Sequence, residues 1–181
     1  MLMVRRYTAA DRDSVRELFI AVNRELAPPH LKDAFESYIE RSLGEEIERI
    51  PAYYSERGGS FWVAVPDLTL RGERDDGSVG GIFGTFGLER RDAVTAELRR
   101  MYVDSRARRQ GVAREMLRHA EDAAREHNCV RMVLSTSELQ QAAISLYRNS
   151  GYQIVREEIA VEQSNKTIGG GIRRFYFEKN L

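Results

Sequence analysis

The tightest constraint on the fold lies between residues 94 and 136. A strand pattern, VTAELRRMYV, runs into a basic turn, RARRQGVAR, then a helix over 111–127, then a second strand pattern, VRMVLST. In that helix Val112, Ala113, Met116, Leu117, Ala120 and Ala124 form one apolar stripe, and the other face is charged. A helix joining two strands of one sheet returns the chain to the edge it left. The two strands must therefore run parallel, through a right-handed crossover.

The flanking sequence supplies further elements. Residues 1–7 read as a short strand, and Thr8 with Asp11 predicts a capping box. Val15, Leu18, Phe19, Val22 and Leu26 then fall at helical spacing, and Pro28-Pro29 ends that helix. A second helical stretch carries Phe35, Tyr38, Ile39 and Leu43, breaks near Gly44 and resumes through Ile47 and Ile50. Gly58-Gly59 marks a turn before the strand SFWVAV at 60–65, and Asp76-Gly77 suits a hairpin turn. The glycines of the returning strand, 82–89, predict bulges or close backbone approach. On 94–103, a strand without a bulge would place Glu97, Arg99, Met101 and Val103 on one face. A short helix at 138–149 carries Ala142, Ala143, Leu146 and Tyr147, and Gly151 supplies its left-handed cap. Strands near 152–162 and 172–179, joined by SNKTIGGG, complete the chain. The expected fold is mixed α/β (α+β): a mostly antiparallel sheet with a central parallel β-α-β crossover and helices on both faces.

At 181 residues the chain reads as one domain, 1–181, able to bury a real core. Basic and acidic residues number 28 each, so no overall basic excess favours nucleic acid as a partner. A single cysteine, Cys129, excludes an internal disulfide, and no Cys/His pair has zinc-ligand spacing, so no metal is expected. His30, His119 and His127 read as surface or helix-end residues. The N-terminus lacks the apolar core of a signal peptide and no apolar run is long enough to cross a bilayer. The expectation is a cytoplasmic protein without membrane contact, monomeric or homodimeric.

Four arginines and a glycine crowd the twelve residues VDSRARRQGVAR. Such a turn is a solvated basic loop, a nucleic-acid contact, or a cradle for a phosphorylated ligand. The first turn of a helix carries unpaired N–H groups and the positive end of the dipole, which suits phosphate oxygens. Gly111 permits close backbone approach and Ala113 stays small, while the flanking arginines complement a diphosphate. Neither G-x-x-x-x-G-K-[ST] nor G-x-G-x-x-G occurs.

In order, LRRMYV, RARRQGVAR, the amphipathic helix, MVLST and AAISLYRNSGY resemble the GNAT superfamily of acyl-CoA-dependent N-acyltransferases over about 94–155. The family's turn motif, Arg/Gln-x-x-Gly-x-Gly/Ala, falls on Arg108, Gly111 and Ala113, and its later signature falls on 140–152. YYSERGGSFWVAV and LSTSELQQAAISLYRNSGY are also similar to the camello-like branch, whose members acetylate amino-acid α-amines or cysteine S-conjugates. Many members of that branch carry a membrane-embedded segment where this chain has only charged sequence.

The resemblance implies acetyl-CoA as co-substrate, with its diphosphate on Arg108, Arg109, Gln110, Gly111, Val112, Ala113 and Arg114. Its pantetheine arm would pair with the backbone of Met101, Tyr102 and Val103. Gln140 stands where the family often has Asn. Tyr147 matches the family's tyrosine near the coenzyme sulfur, and also reads as a core tyrosine beside Leu146. Glu97 sits where many relatives place the carboxylate that accepts the amine's proton, and also reads as an exposed glutamate paired with Arg99 or Arg100. Arg109 and Arg114 reach phosphates or are solvated. Phe35, Tyr38, Tyr53, Tyr54 and Trp62 lie near an acceptor pocket or in the core, and helices at about 30–57 with the loop 163–171 would shape specificity. The implied reaction is acetyl transfer to a small primary amine. Alternatives are a protein or peptide N-acetyltransferase and a non-catalytic acyl-CoA-binding module.

Overall fold

The structure is a computed structural model that describes residues 2–67 and 81–181. The expected Asp76-Gly77 turn lies outside the described residues. Seven strands form one sheet: β1 (Leu2–Arg6), β2 (Ser60–Pro66), β3 (Gly84–Arg90), β4 (Thr95–Val103), β5 (Arg131–Ser137), β6 (Gln153–Ala160) and β7 (Ile172–Asn180). Their order is β1-β2-β3-β4-β5-β7-β6. Among the described residues β4 and β5 are the one parallel pair, as the crossover requires, and β7 inserts between β5 and β6.

Helices cover both faces. On one side, α1 (Arg12–Leu26), α2 (Lys32–Glu45) and α3 (Ile50–Ser55) pack on Phe61, Val63 and Val65 of β2. On the other, α4 (Val112–Glu126) and α5 (Gln141–Asn149) share a core with Trp62, Phe86, Leu98, Met132 and Phe177. The Thr8 box forms: its N–H donates to the Asp11 carboxylate at 2.8 Å, and Arg5 grips the same carboxylate. As expected, α2 ends near Gly44, at Glu45, and the chain resumes through a short 3-10 turn at Ile47–Arg49 into α3. His119 is not simply a surface residue, since its ring meets Trp62 and Phe86 edge-on at 6.3 and 6.1 Å.

Two irregularities position the site. The β4–β5 pairing covers only Thr95↔Arg131, Ala96↔Met132 and Glu97↔Val133. Beyond Glu97 the strands part: β4 stays with β3 and β5 stays with β7, so a wedge opens between them. The second irregularity is a bulge. Arg100 and Met101 together oppose the single Phe86 of β3, and Arg100 has φ +52°. The Thr85 hydroxyl donates to the Arg100 carbonyl at 3.0 Å and holds the bulge. Past it, the side-chain alternation slips by one residue. Met101 and Val103 therefore join Leu98 on the α4 side, whereas Arg99 and Arg100 turn toward α2. The common face for Glu97, Arg99, Met101 and Val103 holds only for an unbulged strand.

Gly87, on β3 beside this bulge, is required for space. A Cβ there would lie 2.3 Å from the Tyr54 hydroxyl, which is itself hydrogen-bonded to buried Glu46. Gly87→Ala is expected to cost about 1–3 kcal/mol of stability by overpacking, read from the urea midpoint; an unchanged midpoint would refute the tight approach.

Candidate active site

Helix α4 begins without a side-chain cap. Gly111 precedes it at φ +82° and ψ −2°, a left-handed conformation that glycine adopts without penalty. A Cβ on Gly111 would meet nothing within 4 Å, so its requirement is conformational, and a larger side chain would project into the open space before the helix. The first N–H groups of α4, from Val112, Ala113 and Arg114, have no acceptor within the helix. An uncapped dipole with a left-handed glycine fits the diphosphate of a coenzyme. The preceding turn is firmly built: Asp104 accepts from the Arg106 N–H at 2.9 Å and from its guanidinium at 2.8 Å, and the Gln110 amide donates to the Arg106 carbonyl at 2.9 Å. Arg109, at φ +61°, and Arg114 are exposed beside it. Arg108 is exposed but not free. Its guanidinium grips both carboxylate oxygens of Glu25 on α1 at 2.6 Å each.

The wedge between β4 and β5 is a narrow cleft of about 90 Å3, partly open to solvent. Met101, Tyr102, Gln140, Tyr147 and Glu97 all line it, as do Phe35 and Tyr38 of α2. Beyond Glu97, the edge of β4 toward β5 has no strand partner among the described residues, so its backbone is available to an extended ligand. Gln140 caps the β5 side, its amide oxygen accepting from the Thr136 hydroxyl at 2.8 Å.

Tyr147 is buried, and its one hydrogen-bond partner among the described residues is the Met101 sulfur at 3.7 Å, a weak acceptor. Burial pushes its phenol well above the ordinary 10.0, so it is protonated and free to donate. Tyr102 turns to the opposite face against Phe19, and burial raises its phenol to about 12.

Glu97 does not pair with Arg99 or Arg100. Its Oε2 receives Lys166 Nζ at 2.9 Å and Arg91 Nη1 at 3.1 Å. The two arginines instead converge on Glu46, which is fully buried at the end of α2: Arg99 Nη2 at 2.6 Å and Arg100 Nη2 at 2.7 Å, with the Tyr54 hydroxyl at 2.7 Å. Burial works to raise the Glu46 carboxyl, but Arg100 and Arg99 outweigh it and hold it below its ordinary 4.5. Arg100 also donates to the Tyr38 hydroxyl at 2.6 Å and the Asn165 carbonyl at 2.7 Å. Of the aromatics, Phe35, Tyr38, Tyr53, Tyr54 and Trp62 are all buried, and Trp62 stacks on Phe86 away from the cleft.

Sequence reasoning missed Glu46, Glu89, Asn165 and Lys166 as members of this site. The paired arginines of AELRRMYV were the available signal, because two adjacent cations in a strand flanked by apolar residues call for a buried counter-charge. A second cleft adjoins the first and shares Asn165 and Lys166 with it; Arg49, Arg57, Arg90 and Arg91 give its walls a positive balance over Glu45 and Glu89.

The sequence matches the family model described as Acetyltransferase (GNAT) family over residues 16–152. It is 38% identical over 122 residues to N-acetylaspartate synthetase of Danio rerio, covering 67% of this chain and 39% of that protein. It is 30% identical over 127 residues to N-acetyltransferase 8 of Homo sapiens, covering 67% and 51%. The chain thus spans about half or less of the length of these relatives. Among solved structures, an acetyltransferase of the GNAT family from Staphylococcus aureus Mu50 matches with a TM-score of 0.72 at 20% identity, covering 99% of each chain. PaiA N-acetyltransferase from Thermoplasma acidophilum, in complex with coenzyme A, matches with a TM-score of 0.67 at 18% identity, covering 100% and 99%.

Glu46 is the electrostatic keystone of the site. Glu46→Ala strands two buried guanidiniums and is expected to cost about 3–5 kcal/mol, read from denaturant unfolding. Because the folded carboxyl is held low, its contribution is complete above its ordinary 4.5 and is lost as pH falls through the lowered value. Wild-type stability should therefore decline more steeply below that pH than Glu46→Gln stability; parallel profiles would refute the assignment.

Proposed function

This chain belongs to the acetyltransferase (GNAT) family, and on that premise we propose that it transfers the acetyl group of acetyl-CoA to a primary amine of a small molecule. The α4 N-terminus with Gly111, Val112, Ala113 and Arg114 would hold the diphosphate, helped by Arg109, Gln110 and Arg108. The free edge of β4 at Met101, Tyr102 and Val103 would hold the pantetheine, with Gln140 facing it across the wedge. When bound, the coenzyme supplies an activated acetyl thioester. A backbone N–H of this edge can donate to a carbonyl oxygen as charge develops on it.

The observation that carries the reading is Tyr147: a buried, protonated phenol whose donor is satisfied only by a thioether sulfur, in the cleft where the strands part. A thiol ionises near ~8.5, well below this phenol, so complete proton transfer from Tyr147 to a thiolate would run uphill. Its role is a hydrogen bond that stabilises sulfur as negative charge develops. Glu97 is the candidate acceptor of the amine's proton, once an amine reaches it.

The acceptor side would be walled by α2 and α3, within the 30–57 region, and by the loop 163–171. The cationic walls of the second cleft support an acceptor that also carries a carboxylate, such as an amino acid or its derivative. Aspartate is the first to try, because one relative is named N-acetylaspartate synthetase.

Incubating the protein with acetyl-CoA and a panel of L-aspartate, other amino acids, cysteine S-conjugates, polyamines and peptides should release free thiol with at least one small amine. No release across the panel would refute the reaction, and release with peptides alone would reassign the acceptor. With an active amine, Tyr147→Phe should lower kcat by roughly 10²-fold while the KM for acetyl-CoA changes little, and Gly111→Val should raise that KM.

A further inference from the structure

The cross-strand register places Glu89 of β3 directly opposite Glu97 of β4. Two carboxylates facing each other on neighbouring strands repel. Neither is free to swing into water, with side chains only 6% and 13% exposed. A cation must therefore lie between them, and Lys166 does: its ammonium is 2.9 Å from Glu97 Oε2 and 3.3 Å from Glu89 Oε2. The other cations near the pair are not bridges. Arg91 reaches only Glu97. Arg99 Nη1 lies 2.9 Å from Glu89 Oε1, yet its N–H points off the line between them, and both atoms are buried without a hydrogen bond. Glu89 Oε1 thus has charge beside it but no aligned donor among the described residues.

Lys166 is also the exchangeable member. It stands on the loop between β6 and β7 with 35% of its side chain exposed, against 5% for Arg99. Three consecutive glycines, Gly169, Gly170 and Gly171, follow it, all at positive φ. Before the lysine the loop is tethered by polar contacts, with Arg41 donating to the Gln163 carbonyl at 2.7 Å and Asn165 to the Tyr53 hydroxyl at 3.2 Å; after it, Ile168 packs against the core under α1–α3.

The geometry points to the Glu89–Glu97 pair as a primary-ammonium subsite, held at rest by the chain's own Lys166 and taken over by the acceptor's ammonium. This assignment rests on the acetyl-transfer reading for its role, although the subsite itself is a property of the charges. The exchange replaces one ammonium by another, so the cluster's charge does not change. It also delivers the incoming amine hydrogen-bonded to Glu97, the group that would take its proton, and adds Glu89 as the residue that orients it.

Thermal unfolding of the purified protein tests the subsite without reference to turnover. Lys166→Met leaves the pair unbridged, and the Tm should fall by about 2–4 °C. Methylammonium chloride should restore it, and sodium chloride at equal ionic strength should not. In Lys166→Met combined with Glu89→Gln, both the loss and the rescue should disappear. An unchanged Tm in Lys166→Met, or equal rescue by sodium, would overturn the proposal. Glu89→Gln alone keeps the lysine and gives a second reading should the first variant fail to fold. Reductive methylation with peptide mass mapping should then label Lys166 several-fold faster than in the wild type, and an equal rate would overturn the proposal. If amines are bound but no acetyl transfer occurs, the subsite stands and the proposed reaction falls.

Discussion

Everything about this site depends on the bulge at Arg100. A regular strand alternates its side chains, so one of its faces would have carried Glu97, Arg99, Met101 and Val103 together. The inserted residue breaks that alternation at the point where β4 leaves β5. Upstream, Glu97 and Arg99 face the helices α1–α3; downstream, Met101 and Val103 face α4 and α5. A group able to accept a proton and a group able to donate one, Glu97 and Tyr147, reach one cleft from opposite sides of a single sheet where β4 and β5 part. The left-handed backbone at Arg100 is unfavourable for a non-glycine residue. It is held by what its side chain gains, namely Glu46, the Tyr38 hydroxyl and the Asn165 carbonyl, all at 2.6–2.7 Å.

The wedge and the helix end act together. Separation of β4 from β5 exposes a backbone edge, and the crossover helix that follows β4 starts where that edge runs out. An extended arm laid along β4 therefore ends beside unpaired N–H groups at the start of α4, the best local site for anionic oxygens. The Arg108–Glu25 pair ties this corner to α1, whose Phe19 packs edge-on against Tyr102 of β4. The turn before α4 and the aromatic cluster beside the cleft thus share one helix, with Arg108 paired at one end and the aromatic cluster along its length.

The architecture was legible because it is written in local periodicities. The crossover, the apolar stripe of α4, the Thr8 box and Gly151 each depend on residues a few positions apart. Gly111 in the turn ahead of α4 was legible for the same reason, and the structure finds it left-handed. What escaped notice were contacts between distant segments. Glu46, Arg99, Arg100 and Asn165 meet across gaps of about 50 to 120 residues, and nothing in EEIERI marks one of its glutamates as wholly buried and the next as exposed. The pairing of Glu97 was misjudged for the same reason: its neighbours in sequence, Arg99 and Arg100, were the obvious partners, but the bulge and the demand of buried Glu46 claim both. The glycines of 82–89 pointed to a bulge in this part of the sheet, but not to its extra residue lying on β4, since that is a register shift between strands and not a pattern within one.

The demands of that buried carboxylate explain why the acceptor side is built from charge. Glu46 requires two guanidiniums to be stable in a low-dielectric environment, and one of them, Arg99, stands beside Glu89. Glu89 in turn faces Glu97, which cannot be left alone with it and so recruits Lys166 and Arg91. The network thus grows outward by necessity, from a rigid and fully buried core to a partly exposed lysine on a glycine-flanked loop. Rigidity falls along the same path, because each successive ion is more solvated and its pairing correspondingly weaker. Lys166 and the more exposed Arg91 are the outer ions of this network, and of the two Lys166 lies at the boundary shared by the two clefts. A network arranged in this order holds β4 fixed at its buried end while its outer ions stay in contact with solvent.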